Sequence, residues 1–432
     1  MKQKIIIKNF GPIKDVEMEI DDFTIFIGPQ TSGKSTIAKS VFFFLSLRDD
    51  LSKMVSEIID NNEHGNFLND FKGFISIKLY SYWGTDNLNT NFQIQFFYSE
   101  NSSILLENNV NIVVFSDDFD SQISSLFESV KEKAFVINSD KNKFLTSKDL
   151  IIKESARQNI LENLQNDIND IFGFDEDIVF IPAGRSILSI LADQIQEINV
   201  RKLDYLMRMF LRRINSLKNV IIDSDNYGTD FFIKGGALDQ KSLDFMKDLS
   251  KSILNGSYIN DEEEGDNIKI SDSQYIKLLF ASSGQQESVW IIQIVLLLIL
   301  NKQKVFIVIE EPEAHLFPKT QKDILNLIVL LSNTSDNKIF ITTHSPYILT
   351  SLNNNIYAYQ VGQQHEEKVD KIIDKKLWMN PKKVQAYFVG GEGNKGKIRS
   401  IIHPELQIIQ TEEIDSASSI NNEEYDLLFD LD

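Results

Sequence analysis

Gly28-Pro29-Gln30-Thr31-Ser32-Gly33-Lys34-Ser35-Thr36 follows directly on the apolar run Phe23-Thr24-Ile25-Phe26-Ile27. A strand that ends in Gly-x-x-x-x-Gly-Lys-Ser and opens into a helix is a phosphate cradle. Gly28 and Gly33 let the backbone turn tightly, so that successive N–H groups point inward as an anion nest. Lys34 can reach the β- and γ-phosphates, and the Ser35 hydroxyl can ligate Mg²⁺. The helix expected from Thr36 to about Leu47 is apolar at Ile37, Ala38, Val41, Phe42, Phe44 and Leu45. It presents its positive end to the phosphates.

The surrounding chain has ordinary globular composition, 42% hydrophobic and 25% charged over 432 residues, enough for one large or two ordinary domains. It contains no cysteine, which removes disulfides, thiolate zinc sites and cysteine nucleophiles and fits a reducing cytoplasm. A net charge of −19 argues against a general nucleic-acid coat, though not against one local basic patch. The opening Met1-Lys-Gln-Lys-Ile-Ile-Ile-Lys8 has no signal-peptide core. The most apolar segment, Trp290–Leu300, is shorter than a membrane-spanning helix and reads as a buried helix behind a site, so no membrane association is expected.

Strands are expected at Lys4–Asn9, Val16–Ile20, Phe74–Tyr82, Phe92–Tyr98 and Asn111–Phe115, with a turn at Gly11-Pro12 and loops over 60–70 and 138–148. Residues 151–172 read as a helix, and Asp177–Ala183 as a strand stopped by Pro182. A second helical stretch carries Ile187, Leu191, Ile195, Ile198, Leu203, Met207, Phe210, Ile214 and Leu217 at spacings of three to five. The expected organisation is an N-terminal part over 1–135, a helical arm or insertion over 136–275 and a C-terminal part over 276–432.

The other half of a phosphate site lies far along the chain. Val305-Phe-Ile-Val-Ile309 is a β-rich run that delivers Glu310 and Glu311 at its end. One acid can hold the magnesium shell, and the next can orient or deprotonate a water. Ile339-Phe-Ile-Thr-Thr-His344 is a second such strand ending in a histidine, at the edge where ligands bind in α/β sheets. Ser282-Ser283-Gly284-Gln285 before a long apolar run is a helix start.

In this order the blocks resemble the ATP-binding-cassette ATPases of the SMC, RecF and OLD type. The matching blocks are Gly28–Thr36, Ala281–Gln286, Glu310–Glu311 with Pro-Glu-Ala-His-Leu, and Thr343-His344-Ser345-Pro346. The opening Lys8–Lys14 is similar to the first hairpin of the same group. The resemblance covers residues 1–45 and 275–350. It implies an α/β head with a mixed sheet flanked by helices, and a central β-rich lobe and helical arm inserted into it. It further implies ATP and Mg²⁺ as cofactors and two heads closing on two ATP molecules. Ser282 and Gly284 would then act in trans, with Ser283 and Gln285 beside them. Glu311 would be the catalytic base, Glu310 a metal ligand with Ser35, and His344 a sensor of the γ-phosphate.

Glu310 stands where that group usually has Asp, and Ser283 where it usually has Gly. The glutamine that usually follows the P-loop has only Gln93 and Gln95 as candidates. Nuclease chemistry is not expected, because no Glu followed by Asp-x-Asp stands in strand context after His344. The expected output is a separate nuclease or toxin switched by this ATPase in anti-phage defence. The alternatives are a repair-type DNA clamp and a nucleotide-dependent scaffold. Arg201, Arg208 and Arg212 form one helical stripe, either a solvated face or a surface for DNA or a partner. The last residues, acidic and interleaved with Tyr425, Leu427, Leu428, Phe429 and Leu431, read as a solvated tail or a docking segment.

Overall fold

A computed structural model describes residues 2–61, 65–84, 91–108, 112–138, 147–191, 203–218, 240–261, 265–390, 395–411 and 424–429. The chain divides into two compact units, Met1–Ile20 with Lys39–Ile178, and Asp21–Ala38 with Val179–Asp432. The opening hairpin and the strand near residue 95 with which it pairs fall in the same unit.

In the first unit, β1 (Lys4–Phe10) and β2 (Ile13–Glu19) form a hairpin about Gly11-Pro12, with Ile5 opposite Met18 and Ile7 opposite Val16. The next strand, β3 (Phe23–Ile27), belongs to the second unit. It leads into α1 (Lys34–Asn61), which runs well past Leu47; the division between units falls within it, between Ala38 and Lys39. The first unit continues with α2 (Phe67–Trp83), β4 (Gln93–Phe97), β5 (Ser103–Glu107), β6 (Val113–Phe115), α3 (Asp117–Asn138) and α4 (Ser147–Phe172). Its antiparallel sheet has the order β2-β1-β4-β5-β6. Aromatic rings fill the core, with Phe44 stacked on Phe96 and Tyr98 meeting Phe172 edge to face.

The strand expected at Phe74–Tyr82 is instead the second half of α2. Buried Phe67, Phe71, Ile75, Leu79 and Tyr82 recur at spacings of four and three, while Phe74 and Ile77 face outward. That period closes a helical face; the β-branched and aromatic content alone suggested a strand. The loop expected over 60–70 is correspondingly short, since α1 reaches Asn61 and α2 starts at Phe67. Most of the loop expected over 138–148 lies outside the described residues. Lys78, on the buried face of α2, donates to Asp50 and to Ser46. Burial pulls its pKa down against the opposing charge of Asp50.

The second unit resumes within β7 (Asp177–Ile181). There follow α5 (Ser186–Leu191), α6 (Tyr205–Lys218), α7 (Gln240–Leu254), β8 (Ser257–Asp261), β9 (Gly265–Ser271), β10 (Gln274–Lys277), α8 (Ser283–Leu300) and β11 (Val305–Glu310). The chain then forms α9 (Pro318–Thr334), β12 (Lys338–Thr343), α10 (Pro346–Asp370), β13 (Val384–Val389) and β14 (Ile398–Ser400). The main sheet has the order β14-β13-β3-β12-β11-β7. The pairs β13–β3, β3–β12 and β12–β11 are parallel and β14 is antiparallel to β13, so the sheet is mixed. β3 and β11 are buried at every position, as strands covered on both faces must be.

Residues from α7, α8, α9 and α10 join those strands in one core, and Phe210, Leu211 and Ile214 pack α6 against it. α8 is buried from Gln286 through Leu300. Among the described residues it alone is long and apolar enough to cross a membrane, yet its apolar surface lies inside this core. A smaller antiparallel sheet, β10-β9-β8, leads into the start of α8.

Candidate functional site

The sheet register sets the site. Ile27 at the end of β3 lies opposite Thr343 of β12 and Phe388 of β13, and Glu310 lies opposite Thr342. Because these strands run parallel, the segments after β3, β11 and β12 all emerge at one edge. Gly28 passes so close to β13 that a Cβ there would lie 2.3 Å from the Val389 carbonyl oxygen. Thr31 takes a left-handed φ of 59°, unusual for a β-branched residue, at the loop's outer bend. The Ile37 N–H donates to Gly33 O, so the helix closes its first turn directly on the loop. Pro29, Gln30, Thr31 and Ser35 are exposed, Ser32 and Thr36 half-buried, and Gly28, Gly33 and Lys34 buried.

Lys34 Nζ donates to Gly28 O and Pro29 O, each at 2.8 Å, and lies 3.5 Å from His344 Nδ1. Burial lowers its pKa to about 8, and the charges of Glu311 and Glu313 oppose that shift. His344 Nε2 lies 3.3 Å from Glu311 Oε1. The structure thus brings three expected residues, from three different strand ends, into one polar row: Lys34, His344 and Glu311.

Glu311 has a left-handed φ of 45°. Its N–H donates to Thr342 O at 2.8 Å, and its carbonyl accepts from Ala314 N at 3.1 Å. Glu310 is buried, with Oε2 accepting from Ala183 N at 3.3 Å. Glu313, two residues on, fixes the histidine: its Oε1 accepts from Thr343 Oγ1 and His344 N, each at 2.7 Å. Burial raises the Glu313 pKa, while those two hydrogen bonds work the other way.

Ser282 caps α8 in a capping box: its hydroxyl accepts from Gln285 N, and its own N–H donates to Gln285 Oε1. Gln285 Nε2 donates to Leu254 O at 2.7 Å, and Ser283 is exposed. At Gly284 a Cβ would come within 2.8 Å of His315 O, so the start of α8 packs on the turn that follows Glu311.

Arg185 was not legible as a site residue. It is fully buried at the exit of β7, and its guanidinium reaches the carbonyls of both Glu310 and Glu311. Its partner Glu287 sits on α8, 102 residues away. The only local signal is the Pro182-Ala-Gly-Arg185 break after an apolar strand. Glu313 lay within the quoted Pro-Glu-Ala-His-Leu block without an assigned role.

Gln93 and Gln95 lie on β4 of the first unit, where Gln95 donates to Ser103 Oγ. Arg201 falls outside the described residues; Arg208 stands over the Tyr205 ring and Arg212 is exposed on α6. Residues 424–429 are helical and exposed.

Fold and site together define a mixed α/β domain with a glycine-bounded loop, paired acids and a histidine at one sheet edge. The chain belongs to the AAA ATPase domain family, whose model matches residues 1–349. No curated protein matches in sequence. Among solved structures, the chain is similar to an SMC head bound to the C-winged helix domain of ScpA, at 13% identity and a TM-score of 0.43, covering 92% of this chain and 96% of that one. It is similar to the SMC head domain from Thermotoga maritima at 12% identity and a TM-score of 0.35, covering 93% and 98%. A Pyrococcus furiosus Smc head with an extended coiled coil, bound to the C-terminal domain of ScpA, matches at 12% identity and 0.37, covering 97% and 98%.

Proposed function

We propose that this chain binds and slowly hydrolyses ATP, and that two copies close around the nucleotide as a switch for a separate effector protein. The row Lys34–His344–Glu311 at the sheet edge is the observation that carries this reading. The N–H groups of Gly28 and of Gln30 to Thr36 would receive the phosphates, and Lys34 Nζ would turn from the loop carbonyls to the terminal phosphate. Ser35 and Glu310 are hard oxygen donors that suit Mg²⁺, which when bound polarises the phosphate oxygens. Glu311 would take the proton of the attacking water, and His344, held through its N–H by Glu313, would contact the terminal phosphate. Ser282, Ser283, Gly284 and Gln285, at the capped start of α8, would contact the nucleotide held by the other copy.

The effector is a nuclease or toxin, and the setting is anti-phage defence in the reducing cytoplasm, which fits a chain without cysteine. A second reading, a DNA-binding repair-type clamp, is favoured by exposed Arg212 beside Arg208 on α6.

Lys34→Ala should lose nucleotide binding. Glu311→Gln should keep it while turnover falls about 10²-fold or more. Glu311→Gln with ATP and Mg²⁺ should sediment as a dimer. Equal turnover in wild type and Glu311→Gln would refute the assignment of the base, and a strictly monomeric species at saturating ATP would remove the two-copy model. Replacing Arg208 and Arg212 by Glu separates the roles: loss of ATP-dependent DNA binding favours the clamp, and loss of a co-purifying protein favours the effector switch.

A further inference from the structure

The geometry points to Arg185 as a positioning residue that holds the backbone of Glu311 and ties it to the start of α8, through Glu287. This inference rests on the ATPase reading of the site. Four carbonyls converge on one buried guanidinium. Nη1 donates to Pro182 O at 2.6 Å and Glu310 O at 2.7 Å. Nη2 donates to Glu311 O, and Nε to Glu287 O, each at 2.9 Å. The Glu287 carboxylate lies 3.3 Å from Nε and accepts from the N–H groups of Arg185 and Ser186, each at 3.0 Å. Burial lowers the arginine's pKa, with Glu287 first among the acids that oppose the shift.

Neutralising a buried charge requires a partner acid, and Glu287 supplies it. Charge neutralisation does not require the fork to grip two successive carbonyls of the strand end that carries both acids. Glu311 sits in a sparsely populated backbone region, which persists only where its surroundings over-determine it. Here Thr342 holds its N–H and Arg185 its carbonyl. The direction of the Glu311 side chain toward His344 follows from that fixed backbone. At its other end the clamp grips the second turn of α8, downstream of the Ser282–Gln285 cap. A shift of α8 would therefore pass to the Glu311 carbonyl through one rigid, planar group.

Arg185→Lys keeps the charge but loses the planar fork, so it cannot hold all four carbonyls. Nucleotide Kd and KM should stay within about twofold, while kcat falls roughly 10- to 100-fold, the effect of misplacing a catalytic group by about 1 Å. Amide hydrogen exchange should rise over 310–316 and at the start of α8, but not over 28–36. Glu287→Asp, which keeps the buried charge paired but on a shorter arm, should show the same pattern more weakly, and it keeps the inference testable if Arg185→Lys does not fold. Unchanged exchange over 310–316, or equal losses in binding and turnover, would overturn the positioning role. An active wild type with unchanged kcat in Arg185→Lys would sink this inference alone. A wild type without Glu311-dependent turnover would sink the hydrolase reading, and the catalytic role of the clamp with it.

Discussion

Nucleotide binding above pH 8 should take up a proton at Lys34. Its ammonium is buried at the base of the loop, and that burial holds its pKa at about 8, against an ordinary 10.5. At pH 8.5 roughly three-quarters of the unliganded protein would carry neutral Lys34. A phosphate anion within about 4–6 Å favours the charged form by one to three pK units, placing the bound pKa near 10. Binding at pH 8.5 should then take up about 0.7 proton, against roughly 0.1 at pH 7. The same linkage makes affinity fall about tenfold between pH 8 and 9.5.

Stability should move the other way. The unfolded chain binds more protons at this site between about pH 8 and 10.5, so the unliganded fold gains stability from Lys34 as pH rises through that window. The assay is titration calorimetry with ATP in buffers of different ionisation enthalpy at pH 7.0 and 8.5. Proton uptake indistinguishable at the two pH values would refute the argument that burial, rather than the nearby acids, controls this lysine.

Gly28→Ala should weaken nucleotide binding at least tenfold and lower the thermal midpoint. Its Cβ would overlap a backbone oxygen of β13 that no rotamer change can move, and overpacking of this kind costs about 1–3 kcal/mol; unchanged affinity and midpoint would contradict the packing. In the first unit, Asp50→Ala should cost about 3–5 kcal/mol in denaturant unfolding, because it strands a buried ammonium. Lys78→Met should cost less, since it keeps an apolar stem beside the Phe43 and Tyr82 rings. Equal losses for the two variants would mean that the pair contributes no specific electrostatic term.

The turn from β3 through Gly28–Gly33 into α1, the two-acid strand end, the histidine strand end and the capped start of α8 were all legible in the sequence. Each is a local signal, carried by a few neighbouring residues whose spacing already states what the backbone must do. The same reading failed at Phe74–Tyr82, where β-branched and aromatic content outweighed a period of four that becomes visible only when Phe67 and Phe71 are counted with it. Only the tertiary structure decided that β12 separates β3 from β11, and hence that Lys34, His344 and Glu311 form one row. Only it placed Glu313 under His344 and Arg185 between Glu287 and the Glu311 carbonyl. Local periodicity carries no information about which strands adjoin, and the partner of a buried charge is set by that adjacency.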